Sequence, residues 1–207
     1  MTDKLTDLSC ASFAEALSST SPVPGGGGAA ALAGALAASL CAMAANFTSG
    51  REKYAAFQTE VENIISSCNS LRIQLIDLAE EDAESFKPLA CAYKLPSDDP
   101  QRVSAIEEAA EGACSPPLRM LECCCRVTEL LESMLKIDNR MLISDVGCGA
   151  ALCAAAMECA AMNVFVNTAS LQDRAYTANI NSRVNEQLDK YLPRAAAIKE
   201  SVYKIIT

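Results

Sequence analysis

Between Glu15 and Arg51 the chain carries no charged side chain, and from Ala29 onward that stretch is mostly small and apolar. A helix with no polar face belongs inside a structure, so residues 29–47 predict a central helix buried on all sides. Its length also meets the requirement for a membrane span. Ala adds little to insertion, however, and no Lys/Arg cluster flanks it, so a protein-buried helix is the preferred reading. A short helix over about 10–18 precedes it. From Glu52 to Phe86 the pattern changes to an amphipathic stripe: Val61, Ile64/Ile65, Cys68, Leu71, Leu75 and Leu78, at steps of three and four. Pro88 is expected to end or kink that helix. Leu95–Pro100 reads as a loop, with Asp99 available to cap a helix starting at Pro100 and ending near Ser115-Pro116-Pro117. Further helices are expected over about 117–137, from Val146 to about Leu171, and over about 173–206 with a break near Pro193. No alternating pattern of useful length predicts a strand. The expectation is an all-α fold, a helical bundle of about six to eight helices forming a single domain over 1–207. Its centre is a pair of Ala/Gly-rich helices.

Several residues break these patterns. Pro22-Val23-Pro24-Gly25-Gly26-Gly27-Gly28 runs directly into the Ala-rich helix. Gly25, Gly26, Gly27 and Gly28 read either as a tight turn or as a loop whose backbone approaches a ligand at positive φ, with the N–H groups of the first helical turn facing an anion. Asp82 falls on the apolar stripe of its helix, where a carboxylate must be paired or have its pKa raised. A raised carboxyl suits proton transfer near neutral pH; a structural ion pair is the other reading. Asp145 is the only charge between Arg140 and Glu158, and serves as a helix N-cap, with Ser144, or as a functional group. Asn163 and Asn167 share one helix face and need partners, either a heterocycle or backbone. Lys53 and Tyr54 open the amphipathic helix, where a Lys is either solvated or reaches an anionic ligand.

Composition narrows the chemistry. Histidine is absent, which removes every mechanism that needs imidazole as base or metal ligand. Any acid or base must be Asp, Glu, Lys, Tyr or Cys. The net charge of −9 argues against a nucleic-acid partner, because neutralising phosphates needs a basic face. Eleven cysteines in no regular spacing read as reduced thiols filling the core, and hence a cytoplasmic protein. Asp3, Lys4 and Asp7 interrupt any apolar N-terminal region, so no signal peptide is expected. Cys123, Cys124 and Cys125 splay around a helix, and Cys148, Cys153 and Cys159 form no CxxC pair, so no metal site is expected.

Taken together, these segments resemble the cyclodeaminase/cyclohydrolase family of folate enzymes. The resemblance rests on Pro22 to Leu36; Gly50, Arg51, Lys53 and Tyr54; Leu78, Ala79, Asp82, Ala83 and Phe86; Ser144-Asp145; Asn163, Val164 and Asn167; and Asp173. These matches stay in order over about residues 8–175. Gly28 departs from the family pattern, which commonly has Ser there. The resemblance implies an all-helical stand-alone enzyme, a homodimer or larger assembly, acting on a tetrahydrofolate one-carbon derivative without metal or redox cofactor. The expected reaction is conversion of 5-formiminotetrahydrofolate to 5,10-methenyltetrahydrofolate and ammonia. The alternative is hydrolysis of the methenyl form to 10-formyltetrahydrofolate. The resemblance further implies catalytic roles for Asp82 and Asp145, and substrate contacts from Gly25–Gly28, Lys53, Tyr54, Asn163 and Asn167. A helical protein that binds a small ligand without turnover is the reading from another class, and a membrane-inserted helix pair a third.

Overall fold

The computed structural model describes residues 4–207, so Asp3 of the signal-peptide argument lies outside it. Seven α-helices follow one another: α1 (Cys10–Leu17), α2 (Gly26–Thr48), α3 (Gln58–Tyr93), α4 (Arg102–Ala113), α5 (Ser115–Ile137), α6 (Ile143–Thr168) and α7 (Arg174–Ile206). Short 3-10 helices cover Leu5–Asp7 and Glu52–Phe57. No strand occurs among the described residues. The fold is the all-α bundle expected, with the Ala/Gly-rich α2 and α6 packed side by side.

Small side chains set these contacts. A Cβ added at Gly149 of α6 would lie 3.4 Å from the Ala37 carbonyl of α2. A Cβ at Gly34 would press on Cys124 Sγ of α5 at 2.8 Å and on Leu75 of α3 at 3.2 Å. α2 therefore touches α3, α5 and α6 at close range, with Ala31, Ala37, Ala38, Cys41, Ala44 and Ala45 sealed from solvent. α2 runs antiparallel to both α3 and α6: Gly27 meets Asp82 and Gly34 meets Leu75, while Gly26 meets Asn163 and Ala37 meets Gly149. The α3 stripe from Val61 to Leu78 fills the core as its periodicity predicts. A second, smaller cluster of Leu89, Ala110, Ala113 and Leu171 joins the end of α3 to α4. α2 and α6 are both long and apolar enough to cross a membrane, and they are the central helices of this bundle.

Four details differ from expectation. The glycines do not form a loop: Gly26, Gly27 and Gly28 are the first turn of α2, and Gly25, its N-cap, is extended at φ −124°. The described glycine at positive φ is Gly50, at 70°, just past the end of α2. Pro88 does not end α3, which continues to Tyr93, and Pro193 lies within an unbroken α7. Pro88 is exposed, so the carbonyl it leaves unpaired one turn earlier can turn to water. Asp99 accepts from Gln101 N–H at 2.8 Å, but α4 starts at Arg102 without a side-chain cap. Asp145 is not an N-cap; it sits in the first turn of α6, whose N-cap is Leu142.

Candidate active site

The apolar stripe of α3 carries Asp82 toward the start of α2. There the chain is stripped of side chains: a Cβ at Gly27 would overlap the Asp82 carboxylate, and one at Gly26 would lie 3.3 Å from Asn163 Nδ2. The glycines are thus needed for close approach and not for positive φ. They open a pocket of about 230 Å³ between α2, α3 and α6, walled by Pro22, Val23, Gly25, Phe86, Ala113 and Val166 besides these residues. Among the described residues, Asp82 is the only charged side chain lining it. No hydrogen bond or ion pair to the Asp82 carboxylate occurs among the described residues, and burial pushes its pKa up to about 6. The structural ion pair weighed for Asp82 is therefore not formed, whereas its neighbour Glu81 pairs outside with Arg119.

α6 supplies the pocket's two amides. Asn163 donates from Nδ2 to the Cys159 carbonyl, 2.8 Å, within its own helix. Asn167 donates from Nδ2 to the Ala113 carbonyl, 2.8 Å, tying α6 to the end of α4. Each bond fixes its side chain and leaves the Oδ1 atom as an acceptor. The first-turn N–H groups of α2 have no partner within the helix, so the pocket also has backbone donors and a helix N-terminus along one wall. Donors, acceptors and one proton-exchanging carboxyl face a small space.

Other expected site residues lie elsewhere. Gly28 faces away from the pocket: a Cβ there would meet Pro24 at 3.4 Å and Phe13 at 3.8 Å. Lys53 and Tyr54 lie in the 3-10 helix beyond the far end of α2, about 33 Å along the helix axis from Gly26. There the Lys53 ammonium sits 5.0 Å from the centroid of the Tyr54 ring, and Tyr54 itself is buried in the main core. These two residues line a separate pocket of about 350 Å³ with Phe47, Arg51, Asn139, Arg140 and Met141. Asp145 is half-buried near that same end, eighteen residues and about 27 Å along α6 from Asn163. Within one chain the structure brings together Gly25, Gly26, Gly27, Asp82, Asn163 and Asn167, and not Gly28, Lys53, Tyr54 or Asp145. Sequence reasoning missed Ser85 and Ala113. Ser85 lies one turn after Asp82 and was legible by that spacing; Ala113 takes part through its backbone, which leaves no signature.

A family model described as formiminotransferase-cyclodeaminase matches residues 9–186. The chain belongs to that family. Among the family's relatives, a methenyltetrahydrofolate cyclohydrolase of Methylorubrum extorquens is 34% identical over 198 residues, covering 94% of this chain and 93% of the relative. The formimidoyltransferase-cyclodeaminase of Rattus norvegicus is 26% identical over 202 residues, and the chain spans 37% of its length. The crystal structure of a formiminotetrahydrofolate cyclodeaminase from Thermotoga maritima superposes with a TM-score of 0.83 at 27% identity, covering 98% of this chain and 97% of that one. Every residue of the Asp82 pocket falls inside the span matched by the formiminotransferase-cyclodeaminase model. The chain is thus a folate one-carbon enzyme of the cyclodeaminase/cyclohydrolase type.

Proposed function

We propose that the Asp82 pocket converts the one-carbon unit between N5 and N10 of tetrahydrofolate, with Asp82 as the single proton carrier. The observation that supports this is an unpaired, half-buried carboxyl whose pKa of about 6 leaves it ionised at neutral pH yet able to hold a proton. In hydrolysis of the methenyl bridge, Asp82 accepts a proton from the attacking water. The tetrahedral carbon then collapses: its hydroxyl proton leaves to solvent as the formyl C=O forms, the carbon–N5 bond breaks, and Asp82 returns its proton to N5, so the cationic methenyl form releases one proton net. In cyclodeamination, N10 attacks the carbon of the protonated formimino group, the N10 proton passes to Asp82, and Asp82 returns it to the amino group, which departs as ammonia and leaves the methenyl cation. The two reactions use the same group in the same order. Asn163 and Asn167 orient the ring through their free acceptors.

Hydrolysis to 10-formyltetrahydrofolate is the reading favoured by the Methylorubrum cyclohydrolase, which matches nearly end to end. The Thermotoga cyclodeaminase supports cyclodeamination as the second reading. Incubating the protein separately with 5,10-methenyltetrahydrofolate and 5-formiminotetrahydrofolate decides between them. Accelerated loss of the methenyl absorbance marks a cyclohydrolase; accelerated gain with ammonia release marks a cyclodeaminase. No acceleration of either by folded protein would leave a ligand-binding protein.

A homodimer is part of the same proposal. The outward faces of α2 and α6 expose Leu36, Met43, Phe47, Met162 and Val166, with relative exposures of 39–70%, and α2 carries no charge at all. An apolar face of this length on the two central helices suits a second copy of the chain. A two-fold axis crossing it near the middle sets each chain's Lys53 and Asp145 end against the partner subunit's Asp82. In that arrangement Lys53 serves a carboxylate of the substrate's glutamate tail, and Asp145 the cationic one-carbon group, from across the interface.

A further inference from the structure

The Asp82 pocket, at about 230 Å³, is smaller than the space a ligand of folate size ordinarily occupies. Ser85 also lines a larger groove of about 590 Å³ between the last turns of α3 and the length of α4. Pro88, Ala92, Leu95, Ala105 and Ala109 make its walls low and apolar, and Gly112 opens one side, since a Cβ there would meet nothing within 4 Å. One charged residue lines this groove: Glu108, exposed and without an ion pair or hydrogen bond among the described residues.

We infer that this groove is the pterin subsite, with the bicyclic ring lying between α3 and α4 and its 2-amino group and N3–H donating to the Glu108 carboxylate. The inference rests on the folate reading of the Asp82 pocket. Three observations select this occupant. The groove adjoins the candidate site, the two sharing Ser85 as a lining residue, so it is the neighbouring space into which a substrate whose reacting carbon lies at Asp82 can extend. Its walls are small and apolar, leaving room for the planar pyrimidinone face of the ring to pack between the two helices. Its one charge is an acceptor, which fits the donor edge of a pterin as a charge-assisted pair. The same charge repels the polyanionic glutamate tail, which must therefore leave by another side.

Two fragments test this without turnover: 6-methyltetrahydropterin and p-aminobenzoylglutamate, titrated against wild type, Glu108→Gln and Gly112→Leu. Glu108 is exposed and Gly112 borders open space, so both variants are expected to fold, which circular dichroism checks. The expected result is that Glu108→Gln weakens the pterin fragment about tenfold or more. Gly112→Leu should abolish its binding, and p-aminobenzoylglutamate should bind all three proteins alike. Selective loss of p-aminobenzoylglutamate would instead assign the groove to the aryl ring and overturn the inference, as would unchanged pterin binding in both variants. Should the wild type accelerate neither folate reaction and bind neither fragment, the folate reading itself fails, a result distinct from either of these.

Discussion

Asp82 is an acid placed where its helix should carry a leucine, and both its reactivity and its cost follow from that. For Asp82→Asn the expected result is a loss of turnover of about 10²–10⁴-fold with the fold retained, the usual range for a positioned acid–base group. In the wild type, the rate should rise with pH through an apparent pKa near 6, as the carboxylate becomes available as a base. Full activity in Asp82→Asn would end the proton-transfer role. The stability argument has the opposite sign from that of a salt-bridged carboxylate. The folded pKa of about 6 lies above the ordinary 3.8, so the folded chain binds more protons than the unfolded chain between these values. Stability therefore falls as pH rises through that window and stays lower above it. Asp82→Asn removes the charge, and after allowance for the exposed part of the group should gain about 1–2 kcal/mol at pH 8. The gain should be largely lost near pH 3, where the aspartate is mostly protonated in both states. Urea unfolding of both proteins at the two pH values measures it, and an equal difference at both would mean that burial of the charge is not the cause.

At the scale of the helix, the first turn of α2 is glycine because α3 needs the space. In an ordinary helix Gly→Ala stabilises by about 0.5–1 kcal/mol. Gly27→Ala should do the reverse, because its methyl group overlaps the Asp82 carboxylate and must displace either α2 or the side chain. Activity should fall with it. Gly27→Ala made together with Asp82→Ala should recover the stability lost by Gly27→Ala alone, a coupling that thermal unfolding of the four proteins reads directly. This contact also marks where sequence reading stops. The stripe from Val61 to Leu78 located α3 and exposed Asp82 as its exception, because helical period is a local property. The same reasoning reads Gly25–Gly28 as a tight turn or a loop approaching a ligand, and not as a helical turn, since a run of glycine signals backbone freedom when nothing reveals the neighbour it must clear. Pro88 reads as a helix end or a kink because the exposure that lets the helix run through it is a tertiary fact. The groove beside α4 left no trace, its walls being alanines with no pattern of their own.

At the scale of the molecule, the segments that carry the family resemblance divide between the two ends of the α2–α6 pair. Order along a sequence says nothing about this, because antiparallel helices return residues to one end or the other according to their lengths. One chain holds Asp82, Asn163 and Asn167 at the first end and Lys53, Arg51 and Arg140 at the second. The pocket that needs a cation for an anionic tail has none, and the cations sit at the far end of an uncovered apolar face. A two-fold pairing through that face answers both facts with one contact, and mixing tests it. Asp82→Asn and Lys53→Ala are each expected to be weakly active alone. If the sites are shared, unfolding and refolding the two together yields hybrid dimers in which one site carries both substitutions and the other neither. Random reassociation makes about half the dimers hybrids, so activity should return to about a quarter of wild type. If each site is complete within one chain, every chain in the mixture keeps its own lesion and activity stays at the average of the two variants. Tagged copies purified as hybrids separate these outcomes from a failure to exchange.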